Sequence, residues 1–134
     1  MSVEIAKEFA RCIDSTLYNE AARLLAEDCT YHYSEGEYQG RDAIINIYKQ
    51  NNIQSNKIFD GVTYSSEVER MGEDVFKIHF IDDIQKGPGQ HRFRSFQIVK
   101  IKDSLISEIG HFEIPGEMEA LQLFYRRMTN GTVS

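Results

Sequence analysis

The spacing of apolar residues changes along the chain from helical to strand-like. Apolar residues recur at intervals of three and four from Val3 onward, which predicts an N-terminal helix. Residues 20–26 are rich in strong helix formers and predict a short second helix. The β-branched and aromatic residues at 29–33 favour a strand. Helical spacing then returns over 41–50, which predicts a third helix.

Beyond residue 58 the pattern is that of β-strands until Pro115. It predicts four strands separated by turns, at 62–68, 75–84, 92–101 and 105–114. We expect tight turns at 72–74 and 102–104 and a looser one at 87–89. Helices followed by a four-strand antiparallel meander indicate an α+β fold.

A last amphipathic helix is predicted over 117–128. A helix gains most of its stability by burying its apolar face. We therefore expect this one to plug an opening in the domain or to dock on a partner through its large apolar side chains: Met118, Leu121, Leu123, Phe124, Tyr125 and Met128.

Composition and charge exclude several classes of function. The 134 residues, 41% apolar and 27% charged, suffice for one domain, predicted to span residues 1–134. A net charge of −6 argues against a nucleic-acid or anionic-membrane partner. The chain begins without the apolar segment of a signal peptide and lacks a bilayer-spanning stretch. Its two cysteines lie outside any C-x-x-C pair, so we expect reduced, buried thiols in a cytoplasmic protein.

Several short motifs, in order, resemble one family. Residues 24–33 (LLAEDCTYHY), then GRDAI at 40–44 and Tyr48, resemble the opening of SnoaL-like proteins of the nuclear transport factor 2-like superfamily. The segment IVKIKDSLI at 98–106 resembles that family's paired-strand turn, with Ser104 where glycine is commoner.

The resemblance covers residues 3–114. It implies a cone-shaped, curved antiparallel sheet wrapped around the N-terminal helices, with an apolar cavity open at one end. The helical extension at about 115–128 is an addition to the common pattern. The superfamily includes isomerases, cyclases, epoxide hydrolases and dehydratases, and also non-catalytic adaptors, so the fold does not select a function. It implies acid–base chemistry without a cofactor, and no residue spacing matches a metal site.

The ketosteroid isomerase positions of the family are altered in this chain. The general base falls on Tyr33, the oxyanion-hole tyrosine on Phe9 and the second oxyanion donor on Gln97. Tyrosine, with a reference pKa of about 10, is a poor base at neutral pH. We therefore do not expect steroid isomerisation by that scheme.

The cyclases and epoxide hydrolases point instead to the last strand. Their catalytic aspartate falls on His111, and the cyclase histidine falls on Gln97. An imidazole can act as acid or base near neutral pH. The sequence thus predicts a catalytic cluster of His111, Tyr33 and Gln97, in which His111 carries a proton and the other two polarise the ligand.

Strand alternation assigns side chains to the two faces of the sheet. Asp82 is expected at the rim of the cavity, His32 and His79 on the outer face, and His91 in solvent. The residues expected to line the cavity and bind a small apolar molecule are Phe9, Tyr31, Tyr48, Phe76, Ile78, Phe80, Phe93, Ser95 and Val99.

Three interpretations remain open from the sequence. One is an acid–base enzyme acting on a small, mostly apolar carbonyl or ring compound. Another is a non-catalytic, dimeric binding or adaptor module. The third is a purely structural or oligomerisation role, in which His111 belongs to a satisfied buried network. The resemblance also implies a homodimer through the outer sheet face, which suits the position of Phe96 and Ile98 among cationic residues. The alternative is an ordinary exposed sheet face.

Overall fold

The computed structural model describes residues 2–129, so residues 1 and 130–134 of the predicted domain lie outside the described part. The elements, in chain order, are α1 (Ser2–Asp14), α2 (Tyr18–Ala22), β1 (Leu25–Tyr33), β2 (Gly36–Gln39), α3 (Arg41–Ile58), β3 (Gly61–Gly72), β4 (Val75–Lys86), β5 (Gly89–Lys102), β6 (Leu105–Glu113) and α4 (Glu117–Thr129).

The strands form one curved, unclosed sheet in the order β2-β1-β6-β5-β4-β3. Strands β3 to β6 form the predicted antiparallel meander. Strand β1 pairs with β2 in antiparallel and with β6 in parallel, so the sheet is mixed rather than antiparallel throughout. The predicted α+β class is confirmed.

The three meander turns are equally short. Strand pairing closes at Gly72 and Val75, at Lys86 and Gly89, and at Lys102 and Leu105, which leaves two residues in each turn. The turn at 87–89 is therefore as tight as the other two, contrary to the expectation of a looser one.

Ser104, at the position where glycine was noted as commoner, has a left-handed backbone conformation. Asp103 and Ser104 have φ angles of 52° and 65°. Positive φ at both central residues is the geometry of a type I′ hairpin turn, which favours glycine.

Two element boundaries differ from the sequence prediction. Strand β1 begins at Leu25, inside the segment predicted as helix, because Leu25 is fully buried and pairs with Ile106. Tertiary pairing there overrides helix propensity. Helix α3 continues to Ile58, beyond the predicted end at 50. Its last turns lack an apolar stripe because they carry polar residues into a cavity: Asn51, Asn52, Gln54 and Ser55.

The core lies between α1, α3 and the inner face of the sheet at one end of the domain. Its largest fully buried side chains include Phe9, Leu25, Phe76, Ile78 and Val99. Cys12 and Cys29 are both free and buried, as predicted. No helix within residues 2–129 is long and apolar enough to cross a membrane.

Helix α4 packs across β5 and β4 without burying any residue completely. The backbone N–H of Arg94 donates to Glu117 Oε1 at 2.8 Å, which fixes the start of the helix. Gly89 permits the close approach of the far end, since a Cβ there would meet Met128 and lie 3.0 Å from Cε1 of Phe124.

His91 lies beneath this helix. Its ring stacks on Phe124 with centroids 5.1 Å apart, and its Nε2 is buried without a hydrogen-bond partner among residues 2–129. The expectation that His91 is solvated was wrong, because strand alternation does not reveal that a later helix covers the position.

Candidate functional site

A cavity of about 410 Å³ occupies the end of the domain that the core leaves unfilled. Helix α3 and the end of α1 form one wall, and the inner face of β1 and of β3 to β6 forms the other. Helix α4 reaches the opening through Met118 and Leu121. Seven residues from the sequence prediction lie on its wall: Tyr31, Tyr48, Phe80, Phe93, Ser95, Gln97 and His111.

Four predicted lining residues lie in the solid core instead. Phe9, Phe76, Ile78 and Val99 are fully buried and do not line the cavity. The three strand residues, Phe76, Ile78 and Val99, do lie on the inner face of the sheet, as strand alternation predicted. Alternation gives the face of a strand but not how far helix α1 fills the space above it.

A hydrogen-bonded network closes the deep end of the cavity. Gln97 is only 3% exposed. The Tyr48 hydroxyl donates to Gln97 Oε1 at 2.7 Å. The Gln97 Nε2 amide donates toward His111 Nδ1 at 3.2 Å and toward the Tyr31 hydroxyl at 3.4 Å. Register explains the arrangement, because Gln97 on β5 lies directly opposite His111 on β6.

The network defines the state of His111. Burial lowers the pKa of His111, with Glu113 opposing the shift, so the neutral imidazole is favoured. Its Nδ1 accepts from Gln97, so the proton of the neutral ring lies on Nε2. Nε2 makes no hydrogen bond to any residue within 2–129. The His111 ring stacks on Tyr31, with ring centroids 6.3 Å apart and an angle of 13° between the ring planes.

Tyr33 does not join this network. Its ring stacks on Tyr38 at 5.5 Å, and among the described residues it is not part of the cavity wall. A hydrogen bond with Tyr38 is the main cause of the raised pKa of Tyr33. The structure therefore brings together His111 and Gln97 of the predicted cluster, and Tyr48 and Tyr31 supply the phenols.

A second set of polar side chains lines the opposite end of the cavity, near helix α4, which we call the shallow end. Asp82 lies directly between Tyr64 on β3 and Phe93 on β5. Burial raises the pKa of Asp82 to about 6, and the neighbouring charges of Asp14 and Asp83 act in the same direction. The Tyr64 hydroxyl donates to Asn52 Oδ1 at 2.9 Å, and burial raises the pKa of Tyr64 to about 12.

Asp14, at the end of α1, faces the same cavity and was not foreseen. Its Oδ2 accepts from the Ser66 hydroxyl at 2.5 Å, while Oδ1 is buried without a partner among the described residues. Burial raises the pKa of Asp14. Its position four residues after the buried Ala10 places both on one helix face, and this spacing was the available signal.

The charges on the cavity wall are of one sign. Asp14, Asp82 and Glu113 line it, and residues 2–129 contribute no Lys or Arg side chain to the lining. The same part of the chain holds no group of three or more His, Cys, Asp or Glu side chains placed to bind a metal ion. The wall is thus largely aromatic, with the neutral His111 at one end, the carboxyls of Asp14 and Asp82 at the other, and Glu113 two residues from His111 on β6.

The outer sheet face carries the remaining predicted features. Phe96 stacks on Phe112 at 5.1 Å, and Lys77 Nζ lies 4.2 Å from the centre of the Phe96 ring. His79 contacts Glu69 at 2.8 Å, away from the cavity as expected. His32, also outside the lining, lies 3.1 Å from Glu37.

No protein-family model matches the chain. A search of curated proteins found no match either. Solved structures, by contrast, share its architecture over nearly the whole length.

Three of these similar structures illustrate the range. An NTF2-like protein of unknown function from Cytophaga hutchinsonii has a TM-score of 0.58 and 16% identity, over 92% of this chain and 95% of that one. A protein from Xanthomonas campestris described as a polyketide cyclase has a TM-score of 0.67 and 10% identity, over 95% and 96%. An epoxide hydrolase of the LEH-like type from M. tuberculosis has a TM-score of 0.66 and 13% identity, over 98% and 94%. These likenesses confirm the NTF2-like α+β fold that the resemblance implied.

Proposed function

We propose that the cavity binds a small, mostly apolar molecule bearing a carbonyl or hydroxyl oxygen, and that His111 assists proton transfer on it without a cofactor. The observation that carries this proposal is the hydrogen bond from Gln97 to His111 Nδ1, which leaves Nε2–H available to a ligand. Aromatic walls with a few fixed polar groups are the usual composition of a small-molecule site.

The network supports a hydrogen-bond donor rather than a base at His111. A neutral imidazole with its proton on Nε2 donates to an oxygen of the ligand. It stabilises the negative charge that develops on that oxygen when the C–H proton beside the carbonyl is transferred to a solvent base. Gln97 and Tyr48 hold the ring in that tautomer, so they act as positioning residues. Isomerisation, cyclisation and hydration of carbonyl or ring compounds all use such a donor.

The experiment measures deuterium exchange at the α-carbons of cyclohexanone in D₂O, because exchange requires only proton transfer. We expect exchange above the buffer rate, reduced by about 100-fold or more in His111→Gln. The matched control is His79→Gln, which removes an imidazole from the outer face. Equal exchange rates in the parent and His111→Gln proteins would overturn the catalytic role, whereas exchange lost equally in both variants would indicate a general effect of charge or folding.

We also propose a homodimer through the outer sheet face, defined by Lys77, Phe96, Ile98 and Phe112. Phe112 is 44% exposed although it is stacked on Phe96, which is an unusual surface position for two aromatic rings. Light scattering should give twice the chain mass for the parent and a single chain mass for Phe112→Asp. A monomeric parent would contradict this proposal without affecting the cavity. The proposed setting is the cytoplasm, where both thiols stay reduced.

A non-catalytic binding module remains the second candidate function. The carboxyls of Asp14 and Asp82 at the shallow end favour it, because neither forms an ion pair within residues 2–129 and both can recognise a ligand without any reaction. Ligand binding in the cavity with no deuterium exchange in the parent protein would support this candidate over the enzyme.

A further inference from the structure

We propose that the ligand carries a protonated amine, bound between Asp82, Tyr64 and Phe93, with its apolar body directed toward His111. This inference rests on the proposed function, since it concerns the same cavity and names the class of ligand. It follows from the register of three strands, from the charge of the lining and from the lack of a partner for Asp82.

The strand register places a carboxylate between two aromatic rings. Asp82 on β4 lies opposite Tyr64 on β3 and opposite Phe93 on β5, and all three line the cavity. Phe80, two residues earlier on the same face of β4, adds a third ring. An ammonium group is attracted both to a carboxylate and to the faces of aromatic rings. The side chains of Asp82, Tyr64 and Phe93 together provide both kinds of attraction.

The charge of the lining selects a cation over an anion. The wall contains three carboxylates and, within residues 2–129, no Lys or Arg side chain. His111 does not compensate, because burial favours its neutral form. An anionic ligand would meet like charges in a partly dehydrated space, and a neutral one would leave the carboxylates uncompensated.

Asp82 itself makes no hydrogen bond or ion pair within residues 2–129. Its neighbour Asp83 is different, since it faces outward and binds Arg92 at 2.8 Å. The charged and titratable groups facing Asp82 are Asp14 from α1 and the hydroxyl of Tyr64, and none supplies a positive charge. Asp82 is half-buried. A carboxylate partly removed from water is costly unless it is paired, and a cationic ligand would supply the partner that residues 2–129 do not.

Asp14 strengthens the negative end from the opposite wall. One of its oxygens accepts from Ser66 and the other has no partner among the described residues. Lys7 and Arg11 lie near Asp14 on the far side, in a separate surface depression, where Arg11 is bound by Glu8 at 2.6 Å. Those cations therefore lie outside the cavity that Asp82 faces.

The two ends of the cavity are far enough apart to act on different parts of one ligand. Asp82 pairs with Phe93, whereas Ile78, four residues earlier on β4, pairs with Gln97. Four residues span roughly 13 Å along a strand. A ligand with an amine at one end and an oxygen acceptor at the other fits this layout, with the aromatic side chains covering its middle.

The experiment compares three probes that share one ring: cyclohexylmethylamine, cyclohexylmethanol and cyclohexanecarboxylate, at pH 7.5. Isothermal titration gives their dissociation constants, and amide NMR shifts locate the binding. We expect the amine to bind at least about tenfold more tightly than the alcohol, and the carboxylate most weakly. In Asp82→Asn the preference for the amine should fall below about twofold, while the affinity for the alcohol changes little.

Two matched controls distinguish binding at Asp82, Tyr64 and Phe93 from a general effect of charge. Asp83→Asn removes the same charge from the next residue on the outer face and should keep the preference. Glu69→Gln removes an exposed carboxylate from the outer face, outside the cavity lining, and should also keep it. Tyr64→Leu should reduce amine binding more than Tyr64→Phe, because only the latter keeps the ring. Unfolding curves of each variant confirm that the comparisons concern folded protein.

The outcomes distinguish this inference from the proposed function. Equal binding of amine and alcohol overturns the inference and leaves small-molecule binding intact. A preference that survives in Asp82→Asn also overturns it. A preference that depends on Asp82, together with unchanged deuterium exchange in His111→Gln, supports the amine site and contradicts the catalytic role. Failure of all three probes to shift cavity residues counts against both.

Discussion

The two ends of the cavity differ in how their polar groups are satisfied. At the deep end Gln97 has partners for its oxygen and its nitrogen, in Tyr48, Tyr31 and His111. At the shallow end, within residues 2–129, Asp82 has no partner and one oxygen of Asp14 is unpaired. A satisfied buried network adds rigidity, whereas an unsatisfied carboxylate costs stability until something binds it. The comparison suggests that one end positions a ligand and the other recognises its charge.

The largest expected effect comes from breaking the deep end. Gln97→Leu leaves the Tyr48 hydroxyl and His111 Nδ1 without their partner in a buried setting. We expect the free energy of unfolding to fall by about 2–4 kcal/mol. Urea denaturation measures the loss, and Gln90→Leu, at an exposed position of the same strand, is the control. A loss below about 0.5 kcal/mol would mean that the network contributes nothing to stability.

At the shallow end we expect the opposite change, a rise in the free energy of unfolding when the polar side chain is replaced. The pKa of Asp82 is raised from 3.8 to about 6 in the folded state, so the folded protein binds more protons than the unfolded chain between those values. Stability therefore falls as pH rises from about 4 to about 6. Asp82→Asn removes this cost, and we expect it to stabilise the protein by about 1–2 kcal/mol at pH 8.

The pH dependence makes this prediction specific. At pH 4, near the bottom of this range, Asp82→Asn should gain little, because the folded-state carboxyl is then neutral and little of the cost of ionising it has yet appeared. Thermal unfolding at the two pH values checks it. Asp83→Asn should instead lose stability at pH 8, since the Arg92 guanidinium lowers the pKa of Asp83. A gain for Asp82→Asn that is equal at both pH values would contradict the assigned cause.

Helix α4 covers the shallow end of the cavity. The third prediction tests how far the burial of Asp82 depends on this helix. Gly89→Val places a side chain against Phe124 and Met128 and should displace the helix. We expect a loss of about 1–3 kcal/mol, together with a lower pKa of Asp82 as water reaches it. Carbon-13 NMR of the Asp82 carboxyl follows the titration. The His111 ring should keep its titration, and an equal shift of both groups would contradict the separation of the two ends.

The smallest expected effect comes from a single hydroxyl at the deep end. Tyr48→Phe removes the donor to Gln97 Oε1 and keeps the packing of the ring. We expect a loss of about 1 kcal/mol and a mixture of His111 tautomers in place of one. Nitrogen-15 shifts of the imidazole report the tautomer, and Tyr125→Phe on the exposed side of the domain is the control. A single, unchanged tautomer would show that Gln97 holds His111 without help.

Part of this arrangement could be predicted from the sequence. Alternation over residues 75–101 correctly directed Phe80, Phe93 and Gln97 inward, because a strand exposes its two faces in strict turn. The family resemblance led to His111 and Gln97, which the structure indeed pairs. Tyr33 and Tyr31 share one parity, so the sequence could not tell which of them reaches the network.

By itself the sequence determined the element types, the α+β order and the inward face of the meander, because these depend on local periodicity and turn chemistry. Only the tertiary structure decided the parallel pairing of β1 with β6, the depth to which α1 fills the cone and the cover that α4 provides. It alone brought Asp14 across from Asp82 and placed Tyr48 against Gln97. Those contacts join residues far apart in the chain, and no local pattern specifies their distance.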